Sequence, residues 1–105
     1  MAKMMNDRLE LHELLCQILG SREVYFQPPE SVKMKYPAIV YSRNRIENVS
    51  ADNVIYKQDV SYSIMVIDRD PDSEIVEKVS RIPHILYDRS YVADNLNHDV
   101  FILFI

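Results

Sequence analysis

The chain has 105 residues, 48% of them hydrophobic and 27% charged, which fits one globular domain and not a disordered segment. A single glycine, Gly20, excludes phosphate-cradling and nucleophile-elbow loops, and a single cysteine, Cys16, excludes an intrachain disulfide and a Cys-based zinc knuckle. The net charge of −4 is uneven: residues 1–50 hold seven Lys/Arg against six Asp/Glu and residues 51–105 five against ten, a balance that disfavours nucleic acid as the main ligand.

No apolar run reaches the roughly 18 residues of a membrane span. Met1-Ala2-Lys3-Met4-Met5 lacks the apolar core of a signal peptide, so a soluble protein of a reducing compartment is expected. A chain of this size buries about two thirds of its surface, enough for a thin core.

The first predicted element is a helix. Leu11, Leu14, Leu15, Ile18 and Leu19 recur at helical spacing and make one apolar stripe. Asn6 or Asp7 is expected to cap it, with Gly20 as its left-handed C-terminal residue. Val24-Tyr25-Phe26 is a short strand, ended by Pro28 and Pro29. A loop made basic by Lys33 and Lys35 leads into a strand from Tyr36 to about Ile46. Residues 47–53 form the tip of a long hairpin.

The return strand runs from about Val54 to Asp68. Tyr56, Val60, Tyr62, Ile64 and Val66 share one face, and Lys57, Asp59, Ser61 and Ser63 share the other. A second helix is expected to start at Asp70 and Pro71, to bury Ile75, Val76, Val79 and Ile82, and to stop at Pro83. Ile85 to Val92 and Asp99 to Ile105 read as two last strands around a turn at residues 94–97. The order α-β-β-β-α-β-β predicts a single α+β domain over residues 1–105, with an antiparallel sheet of four to five strands and two helices.

Two short helices cover one face of such a sheet, here that of Tyr62, Ile64 and Val66. The opposite face carries Met65 and Ile67. The last strand is apolar on both sides, with Val100, Ile102 and Phe104 on one and Phe101, Leu103 and Ile105 on the other. A second subunit is expected to bury the excess, at roughly 1.5–3 kcal/mol per large apolar side chain. The expected interface residues are Met65, Ile67, Phe101, Leu103 and Ile105. Lys33, Lys35, Arg43 and Arg45 form a charged rim, and Asn48, Asp52 and Asn53 lie at a hairpin tip that reaches a neighbour.

Several stretches, taken in order, resemble the small tail-completion proteins of long-tailed bacteriophages and prophages, the tail terminator or head–tail joining group. They are Leu11-His12-Glu13-Leu14-Leu15 with Ile18-Leu19-Gly20; Val24-Tyr25-Phe26-Gln27-Pro28-Pro29; Met34-Lys35-Tyr36-Pro37-Ala38-Ile39-Val40-Tyr41; Tyr62 through Ile67 with Asp68-Arg69-Asp70-Pro71-Asp72-Ser73; and Ala93-Asp94-Asn95-Leu96-Asn97-His98-Asp99 before the last strand. The resemblance covers the chain from about Arg8 to Ile105. It implies a structural protein of the virion, assembled in the host cytoplasm as a ring, commonly of six subunits. Such a ring caps the finished tail tube, stops its polymerisation and meets the head-side connector, with DNA passing through its lumen. The tube protein, the connector and further copies of the chain are the implied partners. No catalytic residue, cofactor, metal or membrane is implied. The head-closure ring of the neck is the neighbouring alternative.

Other chemistry is weaker. Asp68, Asp70 and Asp72 start a calcium-loop pattern that fails at Ser73 and Val79, so capping of a helix start is preferred. His12 and Cys16 stand four apart, a ligand spacing, but find no further ligands nearby, and boundary packing is preferred. Asn48-Val49-Ser50 matches a glycosylation sequon that is idle without secretion. Tyr41, Tyr56 and Tyr62 beside the 33–45 basic cluster motivate an alternative function, a small single-stranded nucleic-acid binding module. No acid–base pair or nucleophile stands at useful spacing, so an enzyme is not expected.

Overall fold

A computed structural model describes residues 3–51 and 54–104, with side chains described for residues 8–46 and 60–104. The elements are α1 (Lys3–Leu19), β1 (Val24–Phe26), β2 (Ala38–Ala51), β3 (Val54–Asp68), α2 (Glu74–Val79), β4 (Ile85–Ala93) and β5 (Leu96–Phe104). The fold is α+β in the predicted order.

The sheet has five strands in the order β1-β2-β3-β5-β4. It is mixed, not purely antiparallel as expected: β1 lies parallel to β2, with Val24 opposite Ile39 and Phe26 opposite Tyr41. The other pairs are antiparallel. The parallel pair arises because residues 27–37 carry the chain back before β2 begins, whereas a tight turn reverses a strand.

β2 and β3 have 14 and 15 residues. At about 3.3 Å per residue such strands approach 50 Å, and the longest dimension of the molecule is 51 Å. β3 pairs with β5 only from Ser61 onward, and β1 pairs with β2 only at residues 39–41. The rest of the hairpin is a two-stranded arm beyond the sheet. Its strands extend farther than predicted, since β2 continues to Ala51 instead of ending near Ile46. The radius of gyration, 15.0 Å, accordingly exceeds the roughly 13 Å of an average chain of this length.

α1 begins earlier than predicted, so Asn6 and Asp7 lie within the helix and do not cap it. Its end is as expected: Gly20 has φ +79°, and its N–H donates to the Cys16 carbonyl at 2.9 Å. Leu11, Leu15, Cys16 and Leu19 are buried, while Leu14 at the stripe's margin is 39% exposed. The helix packs on Val24, Ile39, Tyr41, Tyr62, Ile64, Val66, Phe101 and Leu103, which form the core with Val60 and Val79.

α2 is shorter than predicted and begins later. Ser73, not Asp70, is its N-cap, accepting from the Ile75 N–H at 3.2 Å. The aspartates before it make consecutive turns: Asp68 accepts from the Asp70 N–H at 3.1 Å and Asp70 from the Asp72 N–H at 2.9 Å. Side-chain acceptance two residues on competes with helix in this way. The helix ends at Val79, followed by hydrogen-bonded turns at Arg81 and Ile82. The β4–β5 turn is tighter than expected, with Asp94 and Asn95 at φ +54° and +61° and Leu96 and Asn97 already in β5.

Tyr41 and Tyr62 pack edge to face in the core, 0% and 1% exposed. The Tyr41 hydroxyl meets His12 Nδ1 at 2.7 Å and accepts from Arg8 at 3.4 Å. The Arg8 guanidinium in turn lies 4.5 Å over the Phe26 ring. The Tyr62 hydroxyl is buried without a partner. Tyr62→Phe is therefore expected to leave stability unchanged or raise it by up to about 1 kcal/mol, whereas Tyr41→Phe lowers it by about 1 kcal/mol. Paired urea denaturation curves check the difference.

Candidate assembly surface

Strand register assigns the paired residues of β3, β4 and β5 from Ser61 onward to a face. Ile64 stands opposite Phe101 and Tyr62 opposite Leu103, so Phe101 and Leu103 share the helix-covered face. They are 1% and 4% exposed. This corrects the expectation that they lie on an interface: the subunit's own core encloses them. Met65 stands opposite Val100, and Ile67 opposite His98, on the other face. Ile67 is also buried within the chain, and Met65 is half-buried. Ile105 lies outside the described residues.

The face without helices is partly roofed by its own aromatic residues. The Tyr91 ring stacks on His98 at 4.7 Å and 8°, and its hydroxyl donates to Met65 Sδ at 3.3 Å across β5. Apolar surface remains toward the other end of the sheet. Ser63, Ile102 and Leu86 stand side by side across β3, β5 and β4, and Ser61 stands opposite Phe104. Ile102 is half-buried, and Leu86 and Phe104 are 60% and 49% exposed. The uncovered strip is therefore Leu86, Ile102 and Phe104, not the expected set. Alternation separates Ile102 and Phe104 from Phe101 and Leu103 by parity, but only the register with β3 shows which pair is uncovered. Leu86 carried no such signal.

An open groove of about 390 Å³ adjoins the strip. It runs between α1 and the α2–β4 connection, lined by Leu11, Leu14, Ile82, Pro83, Leu103 and Phe104, with Glu10 and His84 as its polar lining. The Phe104 N–H donates to the His84 carbonyl at 3.0 Å, which ties two of the lining residues together.

The four basic residues are all exposed, but they do not form one strip. Lys33 and Lys35 lie in the β1–β2 connection. Arg43 stands opposite Tyr62 on the helix side, and Arg45 stands opposite Ser61 on the other. A bulge at this point inverts the simple alternation, and Asn44 donates to Ser61 Oγ at 3.1 Å. The loop bearing the lysines is tied to β1 by Glu23, whose carboxylate accepts from the Tyr25 hydroxyl and from the Lys35 N–H at 3.3 Å. The Tyr25 hydrogen bond, then the Lys35 amide, hold the Glu23 pKa below its ordinary value. Asn48 pairs opposite Gln58 in the arm, while Asp52 and Asn53 lie outside the described residues.

The tyrosine platform proposed for bases is not available at Tyr41 or Tyr62, since both rings are enclosed in the core. The side chain of Tyr56 lies outside the described residues. Burial raises the Tyr41 pKa, opposed by the Arg8 hydrogen bond. His12 is engaged by Tyr41, and Cys16 is buried beside it. Among the described residues, no group of three or more metal-ligating side chains converges, and no helix is long and apolar enough to cross a membrane. No protein-family model matches the chain, and no curated protein matches it significantly.

Proposed function

We propose that the chain is a structural assembly protein of the phage-tail kind, one that closes as a ring on the end of a tail tube and ends its growth. The observation that carries this reading is the apolar strip Leu86–Ile102–Phe104 on a sheet face without helices. A strip of this kind is buried by a partner in a stable assembly. The resemblance of the ordered stretches from Arg8 to Ile105 to tail-completion proteins supports the identity of that assembly. Six copies, the tail tube protein and the head-side connector are its components, and the assembled ring belongs to the virion. A ring of this type is built from head-to-tail contacts that close by rotation. The two-stranded arm is suited to reach a neighbouring subunit or the tube, because an isolated hairpin is marginally stable and gains from docking.

Tubes of purified tail tube protein, polymerised with and without this chain, test the reading by electron microscopy. Shortened tubes with a ring of density at one end are expected. Tubes of unchanged length with bare ends overturn it. In a parallel arm with purified head-side connector and no tubes, density at the connector's portal side assigns the chain to head closure instead.

A further inference from the structure

We propose that β4 pairs antiparallel with β4 of a second copy, about a twofold axis between Asp88 and Arg89. β4 is the last strand of the sheet, and eight of its nine residues are exposed. Leu86, Tyr87, Tyr91 and Val92 are exposed by 60%, 53%, 41% and 68%. Apolar side chains at both ends of an open edge strand favour another strand, while the central Asp88 and Arg89 charges and the bulge beside them admit only a partner that matches both.

The strand is chemically self-complementary about its centre. Asp88 and Arg89 are adjacent there, with Nη1 to Oδ2 at 2.7 Å. In a self-paired register centred between them, each Asp88 meets the second copy's Arg89. Moving outward, Leu86 meets the second copy's Tyr91, and Ile85 its Val92. Opposite charges and aromatic–aliphatic pairs directly across two strands are the favourable combinations.

A regular strand could not use this register. Leu86 and Tyr91 are an odd number of positions apart, which places them on opposite faces of an uninterrupted strand. The irregularity between Tyr87 and Arg89 removes the conflict. Leu86 stands opposite Ile102 and Tyr91 opposite His98, both on the face without helices. Ile85 stands opposite Leu103 and Val92 opposite Asn97, both on the helix face. The bulge thus brings the matching residues of both copies onto common faces.

Such a contact is isologous, so it closes on itself and leaves no β4 edge for further addition. The inference does not depend on the tube-capping reading.

Charge exchange tests it. In Asp88→Arg and in Arg89→Asp, every 88–89 pair across the axis joins like charges. In a mixture of the two variants, both pairs join opposite charges. The two side chains are 38% and 64% exposed, so neither substitution enters the core. By sedimentation equilibrium the wild-type chain is expected to dimerise, and each variant alone to dissociate at least about tenfold more readily. An equimolar mixture should recover the wild-type dimer, as a heterodimer by native mass spectrometry. Val92→Lys, away from the bulge, should give the same loss with an unchanged circular dichroism spectrum. A wild-type chain that stays monomeric to about 1 mM, roughly 4 kcal/mol of association, overturns the proposal. So do variants that dimerise like the wild type, or a mixture that stays monomeric. None of these outcomes bears on tube length, which the electron microscopy assay reads separately.

Discussion

Phe101→Ala is expected to cost the isolated chain about 3–5 kcal/mol, because it removes a fully buried aromatic ring from the centre of the core. A domain of this size has a total stability of about 5–15 kcal/mol. The substitution therefore consumes a large part of it. At about 1–3 kcal/mol per molar urea, the unfolding midpoint falls by at least about 1 M. The Phe101 ring also packs edge to face on Tyr87 at 5.2 Å, so the loss extends to the β4 edge. The loss should not depend on protein concentration, because every contact removed lies within one chain. A midpoint shift that shrinks as the protein is diluted would mean that Phe101 is buried by another subunit. A shift below about 1 kcal/mol would contradict its place in the core.

Phe104→Asp is expected to have the opposite profile. Three residues away on the same strand, Phe104 is 49% exposed and stands on the other face. Its backbone bond to His84 survives the substitution. The fold should lose about 1 kcal/mol or less. Assembly should fail, because docking would bury an unpaired carboxylate at a cost of several kcal/mol. A loss of about 2.8 kcal/mol is already a hundredfold in affinity. Tubes grown with the variant should match tubes grown without any added chain. Normal capping by a folded Phe104→Asp protein would remove the strip from the proposed assembly surface. Taken together, the two phenylalanines separate a folding defect from an assembly defect within one strand.

Much of the fold is legible in the amino-acid order. The α1 stripe, the left-handed Gly20, the bounds of β3 and the buried face of Val60, Tyr62, Ile64 and Val66 follow from periodicity and turn chemistry. These elements have strong contrast between an apolar and a polar side. The start of α2 was less legible, because an aspartate can cap a helix or close a turn with nearly the same local geometry. Ser73 won that competition once Asp68 and Asp70 had each taken the amide two residues on. The candidate site was the least legible part. Met65, Ile67, Phe101 and Leu103 are all large and apolar, yet they belong to two faces.

Where a strand is unbroken, as in β5, the order of residues determined which side chains stand together, since an extended backbone turns successive side chains to opposite faces. It left open which side of β5 meets the helices, because Val100, Ile102 and Phe104 are as apolar as Phe101 and Leu103. Only hydrogen-bond register across β3 and β5 decided that, and a one-residue slip would have exchanged the two sets. The tertiary structure likewise placed bulges at residues 43–45 and 87–89, where alternation changes phase. A bulge depends on how two distant strands match, so no local pattern in either strand announces it.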